Sequence, residues 1–322
     1  MLTLCYVCHY VHARLMTIIF NAILRIQYFP KPWKLAQIKM LHKPDRDPHQ
    51  TASYRLISLL PVFSKILEKI MYCRIKTTIQ TKKLIPDHQF GFRNEHSTIE
   101  QMHRLINEII IALENKEYCT ALFMDIEKAF DKINHESILQ TIRKQFPEQI
   151  HQLIKSYLSS RTFVTKIKDI HSEVKDIKAG VPQESVLGPI LYTLYTANIP
   201  TTTNSAVLTF ADDTVILVRH TNSETAVKLL QEHITKIEKW LQEKQIKANP
   251  NKCNHITFTL RKQIQPNIPL NGTHITQTKQ VKYLGLHLDT QLTRKQHTKS
   301  IIDKETNALA NKSKIQIKQL IN

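Results

Sequence analysis

Two aspartates, Asp212 and Asp213, stand side by side in LTFADDTVIL (Leu208 to Leu217), an otherwise apolar run. Adjacent carboxylates cost little at a turn only where water or cations neutralise them, and magnesium prefers hard carboxylate oxygens together with waters and substrate phosphates. A third acid is expected to converge on the pair. Asp125 is the best candidate, because it ends the apolar run ALFMD as a strand terminus would. Two ions about 3.5 to 4 Å apart would activate a hydroxyl and stabilise a leaving pyrophosphate in an in-line phosphoryl transfer. Taken alone, the pair fits an ordinary hairpin turn equally well.

The elements that must position these acids are legible in outline. AVLTF and TVILV flank the pair as short β-branched runs, the pattern of a tight hairpin with the acids at its turn. TALFMDIEKAF reads as a buried strand that turns into a helix. Helical spacing places Ile99, Met102, Leu105, Ile106, Ile109, Ile110 and Leu113 on one stripe, and a second helix follows Ser223 as its expected N-cap. TFVTKIKDI and HSEVKDIKAG alternate as a hairpin, and GVPQESVLGPILYTLYTANI reads as a loop leading into a helix. Late strands are expected in NHITFTL and VKYLGLHLD, and a basic helical segment over the last thirty residues. From Ile18 to about Ile85 the pattern reads as mostly helical, broken by FPKPWK and KPDRDPHQ. The whole is a mixed core of strands and helices.

Composition narrows the partners. The 322 residues carry 45 Lys and Arg against 27 Asp and Glu, a net charge of +18 spread along the chain. Such a surface attracts phosphate polyanions, and no polybasic block beside an amphipathic helix argues for a membrane instead. The odd, scattered set Cys5, Cys8, Cys73, Cys119 and Cys253 gives no disulfide framework and suits a reducing, intracellular setting, with nucleus and cytoplasm not distinguished. The apolar start is interrupted by His9, His12 and Arg14 and lacks a cleavage site, so it reads as a helix start rather than a signal peptide or span. CYVCH matches a haem-attachment pattern, and Cys5, Cys8, His9 and His12 could be imagined on zinc. The spacing leaves no room for a finger loop, and incidental core residues are the better reading. With 5 glycines there is no flexible linker or repeat.

Seven segments in order carry a resemblance: SYRLISLLPVFSKILEKI, IPDHQFGFRNEHSTIEQ, LFMDIEKAFDKINHESIL, AGVPQESVLGPILYTLYTANIP, TFADDT, IKANPNKC and VKYLGLHLD. Together they resemble the reverse transcriptases of non-LTR retrotransposons, the jockey-like insect group in particular, over residues 18–310. The resemblance implies an α+β right-hand polymerase fold. A ragged segment (1–17) would precede fingers (18–115), a palm with the catalytic carboxylates (116–289) and a partial thumb (290–322). The implied activity is that of an RNA-directed DNA polymerase, transferring dNTPs onto a primer 3′-OH with two magnesium ions, for which manganese could substitute. Its partners would be an RNA template, a DNA primer and dNTPs, with no membrane and no obligate protein partner inferred.

Carried over residue by residue, Asp125, Asp212 and Asp213 match the metal-binding triad, with the backbone carbonyl of Ile126 as a further ligand. Phe130 matches the side chain that blocks a ribose 2′-OH. Gln183 matches a residue lining the nucleotide pocket, and Arg55 and Lys43 match positions that grip the triphosphate, a task for bidentate guanidinium and ammonium contacts. Lys252 matches a lysine that protonates the leaving pyrophosphate. Tyr283, Leu284 and Gly285 match a hairpin supporting the primer end, and Gln89 to Arg93 (QFGFR) a template-contacting element.

Three departures qualify the match. The pattern has glycine where Glu184 follows Gln183; if positive φ is needed there, glutamate costs on the order of 1 kcal/mol or more. Leu56 replaces the proline of YRPIS, and the endonuclease that usually precedes the polymerase is absent. A truncated element copy, in the extreme a catalytically impaired nucleic-acid-binding remnant, is therefore expected.

Overall fold

A computed structural model describes residues 2–43, 47–50, 53–127, 129–167, 169–261, 266–293, 295, 297–302 and 306, with backbone alone for 2–12. The CYVCH side chains, part of the KPDRDPHQ turn and most of the basic C-terminal segment read as partial thumb lie outside these residues.

The chain opens with helix α1 (Leu2–Ile26), strands β1 (Leu35–His42) and β2 (Tyr54–Leu59), helices α2 (Val62–Thr81) and α3 (Thr98–Glu114), and strand β3 (Tyr118–Met124). Helices α4 (His135–Gln145) and α5 (Glu148–Leu158) follow, then strands β4 (Arg161–Ile167), β5 (Ile170–His171) and β6 (Lys175–Ile177), and helix α6 (Gly188–Thr196). The hairpin β7 (Ala206–Phe210) and β8 (Asp213–His220) leads to helix α7 (Ser223–Glu243) and strand β9 (Asn254–Phe258). Two small hairpins follow: β10 (Ile268–Leu270) with β11 (Thr273–Ile275), and β12 (Gln280–Tyr283) with β13 (Leu286–Asp289). Among the described residues no helix is long and apolar enough to cross a membrane.

These elements form two compact units that interleave along the sequence, one of 1–92, 128–198 and 243–246, the other of 93–127, 199–242 and 247–322. The first holds a sheet in the order β2-β1-β4-β5, with β6 also on β4; β1 runs antiparallel to β2 and parallel to β4. These strands correct the helical reading of 18–85. LAQIKMLH spaces Leu35, Ile38 and Leu41 as a helix would and holds one β-branched residue, so its strand state comes from pairing on both sides rather than from local preference.

The second unit is built on an antiparallel sheet in the order β7-β8-β3-β9. All seven residues of β3 (YCTALFM) are buried, as a central strand covered on both faces requires. Cys119, Ala121 and Phe123 share one face with Val215 and Leu217 of β8 and Ile256 and Phe258 of β9. Met102, Leu105, Ile109 and Ala112 of α3 cover that face, joined by Val281, Tyr283 and Leu288. The α3 stripe is narrower than its sequence suggests, for Ile99 and Ile110 are 65% and 39% exposed. Ser97 begins α3 with a capping box: its hydroxyl accepts from Glu100 N while the Glu100 carboxylate accepts from Ser97 N. At α7 the cap falls one residue earlier than expected. Asn222 Oδ1 accepts from Thr225 N at 2.9 Å, and Ser223 is the first helical residue.

Candidate active site

The acids meet at one end of the second unit's sheet. Strands β3 and β8 pair up to Met124 opposite Thr214, so Asp125 and Asp213 are the residues that adjoin this last pair. Strands β7 and β8 pair up to Phe210 and Asp213, which leaves Ala211 and Asp212 as a two-residue turn. Ala211 has φ 58°, the positive value that a primed hairpin turn places at its first central position. Asp212 is thus held in the turn, Asp213 at the first residue of β8, and Asp125 just past the end of β3.

Beyond β3 the chain stays in ladder geometry. Ile126 bridges Ala248, Glu127 N donates to Lys247 O at 2.8 Å, and Asn249 N donates to Asp125 O at 2.9 Å. Asn249–Lys252 then closes a turn, with Pro250 at its second position, Lys252 N donating to Asn249 O and Asn251 N to Asn249 Oδ1. That turn delivers Lys252 Nζ to 3.1 Å from Asp125 Oδ2.

The electrostatics follow from this crowding. Burial first, then the negative charge of Asp125, pushes the Asp212 carboxyl above its ordinary range, with Lys252 pulling the other way. Asp213 still reaches solvent, yet the surrounding protein and its two carboxylate neighbours raise it to about 6. Among the described residues, no three His, Cys, Asp or Glu side chains form an assembled metal centre; Asp125 turns one oxygen to Lys252 instead. The donor set nevertheless fits a divalent cation: three hard carboxylate groups stand at one sheet end, and the raised Asp212 and Asp213 mark a local excess of negative charge that a cation relieves.

Tyr283 is buried beside this cluster. Its ring meets Phe123 edge-on at 5.4 Å, and burial first, with Asp213 adding to it, raises its hydroxyl pKa. Leu284 and Gly285, both at positive φ, form the two-residue turn between β12 and β13. Arg93, in the same unit, is half-buried.

The remaining candidates lie in the first unit. Arg55 is exposed on β2 opposite Leu41, and Lys43 extends the same hairpin through its N–H to Ser53 O at 2.7 Å. Gln89 is buried and its side-chain oxygen accepts from Gly91 N at 2.7 Å, so that amide shapes the QFGFR turn. Phe130 packs on Tyr192, with ring centres 5.0 Å apart, and edge-on to Phe92 at 6.1 Å. Gln183 Nε2 donates to Asp131 Oδ1 at 3.1 Å, and Val181 N to Phe130 O at 2.9 Å. Glu184 is exposed at φ 69°, the conformation in which the family pattern's glycine is free of strain.

Two residues absent from the sequence reading join these sites. Asp131, next to Phe130, holds the Gln183 amide. Glu68 holds the far end of the same loop, and a signal for it exists: it is an acid at helical spacing among the buried Ser64, Leu67, Met71 and Ile75 of α2.

A cluster of three carboxylates at the end of an antiparallel sheet within an α+β chain is compatible with a polymerase that transfers nucleotides through divalent metal ions. The profile described as reverse transcriptase (RNA-dependent DNA polymerase) matches residues 41–288, and the chain belongs to that family. It is 40% identical over 294 residues to the RNA-directed DNA polymerase from mobile element jockey of Drosophila melanogaster, covering 89% of this chain and 32% of that protein. To the probable RNA-directed DNA polymerase from transposon BS of the same organism it is 39% identical over 295 residues, covering 88% and 33%. The chain thus spans about a third of the length of these relatives. Among solved structures, apo telomerase from Candida tropicalis superposes with a TM-score of 0.57 at 14% identity, covering 81% of this chain and 48% of that one. A form truncated from its C-terminal domain gives 0.54 at 15%, covering 88% and 59%. The fold is the right-hand polymerase fold, and divalent metal ions serve this family generally.

Proposed function

We propose that this chain is the polymerase part of an RNA-directed DNA polymerase from a non-LTR retrotransposon, extending a DNA primer on an RNA template with dNTPs. The observation that carries this reading is the convergence of three acids at one sheet end: Asp125 directly follows the last β3–β8 pair, Met124 with Thr214, Asp213 opens β8, and Asp212 stands in the adjoining turn. Asp125, Asp212 and Asp213, with the Ile126 carbonyl, are the groups that would hold two magnesium ions. When bound, the ions supply Lewis-acid stabilisation of charge on the attacking and leaving oxygens.

The chain's own residues do the rest. Lys252 stands beside Asp125, where its ammonium can hand a proton to the departing pyrophosphate. Arg55 and Lys43 grip the triphosphate, Gln183 and Phe130 shape the nucleotide pocket, and Phe130 excludes a ribose 2′-OH. Tyr283, Leu284 and Gly285 support the primer end, and Gln89 to Arg93 contact the template. Fingers over 18–115, a palm over 116–289 and a thumb beginning at 290 belong to the same proposal. So does a reducing intracellular setting, supported by the free Cys73, Cys119 and Cys253.

Primer extension on an RNA template with dNTPs and magnesium tests the reading. Extension that is lost in Asp212→Asn supports it. Salt-sensitive RNA binding without extension, in both the natural chain and Glu184→Gly, would overturn it in favour of a binding remnant.

A further inference from the structure

Helix α6 begins without a cap of its own. Leu187, its N-cap, makes no side-chain capping bond, and Pro189 in the first turn has no N–H to satisfy. The amides at this end are satisfied from elsewhere. Val186 N and Leu187 N both donate to Glu68 Oε2, at 2.8 and 3.2 Å, and Gly188 N donates to Ser185 Oγ at 2.9 Å. Glu68 comes from the middle of α2 and is fully buried, its other oxygen accepting from Ser64 Oγ at 3.1 Å. A carboxylate buried without a salt-bridge contact is costly unless hydrogen bonds and charge repay it. Here burial is the larger effect and raises the Glu68 pKa, while three donors, the positive end of α6 and the field of the fully buried Arg161 offset part of that cost.

The segment so anchored carries Gln183 and Glu184. Its upstream end is held independently, by Gly180 N to Ile133 O at 2.8 Å, Val181 N to Phe130 O at 2.9 Å and His135 to Gly180 O at 2.7 Å. A β-carbon on Gly180 would come within 2.7 Å of the Asp131 backbone, so that end admits no slack. Downstream, Ser185 N donates to Pro182 O at 3.2 Å within the loop itself, and among the described residues Glu68 is the side chain from another element that holds the backbone of Val186 and Leu187.

We propose that Glu68 is a positioning residue: it fixes the downstream half of the Gln183 loop and thereby sets the fit of the incoming nucleotide. The nucleotide half of this claim rests on the polymerase reading above; the loop half does not.

Residue-resolved hydrogen–deuterium exchange on the full chain, combined with single-nucleotide incorporation, tests both halves. Glu68→Ala is expected to speed exchange at Val186 and Leu187 by about tenfold or more, since each loses its acceptor, while Gly180 and Val181 keep their protection. Glu68→Gln restores protection, because its carbonyl can still accept from both amides while its NH2 donates to Ser64. In incorporation assays Glu68→Ala raises the dNTP KM by about tenfold and leaves kcat within about threefold, and Glu68→Gln reverses the rise. Should Glu68→Ala fail to fold, Glu68→Asp, one methylene too short to reach, is expected to give the same pattern. Unchanged exchange at Val186 and Leu187, or loss of protection spread evenly to Gly180 and Val181, would overturn the proposal. Faster exchange with an unmoved KM would overturn the nucleotide half. A natural chain that incorporates nothing would count against the polymerase reading, while the exchange data would still decide whether Glu68 holds the loop.

Discussion

The ammonium of Lys252 rests 3.1 Å from Asp125 Oδ2, so a cation already sits on a carboxylate whose charge is felt at Asp213. Both partners are partly exposed, and an ion pair of that kind contributes at most about 1 kcal/mol to folding. Lys252→Met is therefore expected to leave the melting temperature almost unchanged. Under the proposed general-acid role its effect is expected on catalysis, as an incorporation rate lowered by about a hundredfold or more. Single-turnover kinetics beside thermal melts would check the split.

Asp213 offers a second test with a definite sign. Its folded pKa of about 6 lies above its ordinary 3.8, so the folded state keeps a proton that the unfolded chain releases between those values. Stability from this group is lost as pH rises through that window, and at pH 7 the ionised carboxylate carries the full cost. Asp213→Asn is expected to stabilise the metal-free chain by up to about 1 kcal/mol after solvent screening. Magnesium is expected to raise the melting temperature of the natural chain more than that of the variant, because binding to the folded state stabilises it by mass action. Parallel melts with and without magnesium measure both effects.

At Glu184 the backbone occupies the left-handed region with a β-carbon present. Glu184→Gly removes that strain and partly offsets the gain by loosening the unfolded chain, for a net stabilisation of up to about 1 kcal/mol. Urea denaturation would read it as a higher midpoint at constant slope. A lower midpoint would show that the glutamate side chain contributes something beyond strain.

Phe130 is wedged between Tyr192 and Phe92. Phe130→Val shortens the ring that would meet a ribose 2′-OH, and discrimination between dNTP and rNTP is expected to fall by about tenfold or more. The lost packing costs about 2 kcal/mol at this half-buried site, so selectivity is best compared below the variant's melting range. Competing incorporation of dNTP and rNTP on one template measures the ratio.

His255 makes stability depend on acid. It is fully buried on β9, and desolvation lowers its pKa to about 4 from 6.5. Thr257 donates to Thr120, whose hydroxyl pairs with His255 Nε2 at 2.9 Å, while Nδ1 has no partner among the described residues. The unfolded chain takes up a proton near pH 6.5 that the folded chain refuses until about 4. Stability is thus complete above 6.5 and falls through that window, by up to about 1.4 kcal/mol per pH unit. Chemical denaturation across pH 4 to 7 is expected to show this slope, reduced in His255→Gln.

Much of the site was legible because its signals are local. The ADD turn, the ALFMD strand end and the NPNKC turn each announce themselves within a few residues, and their order along the chain identifies the fold. The elements that escaped notice depend on pairing at a distance. Nothing within LAQIKMLH distinguishes a strand from a helix until β2 and β4 flank it. Glu68 lies more than a hundred residues from the amides it holds, and the sequence offers only an acid on an apolar stripe as a clue. The strain at Glu184, by contrast, was foreseeable from chemistry alone, since a glycine position occupied by a bulkier residue invites the question of φ.

The two-residue turn at Ala211 and Asp212 couples chemistry to architecture in one further way. Strand side chains alternate between faces, so a single residue inserted between Phe210 and Asp213 would slide β7 against β8 or turn Val215 and Leu217 out of the hydrophobic layer. The spacing of the acid pair therefore cannot change without dismantling the sheet that carries it.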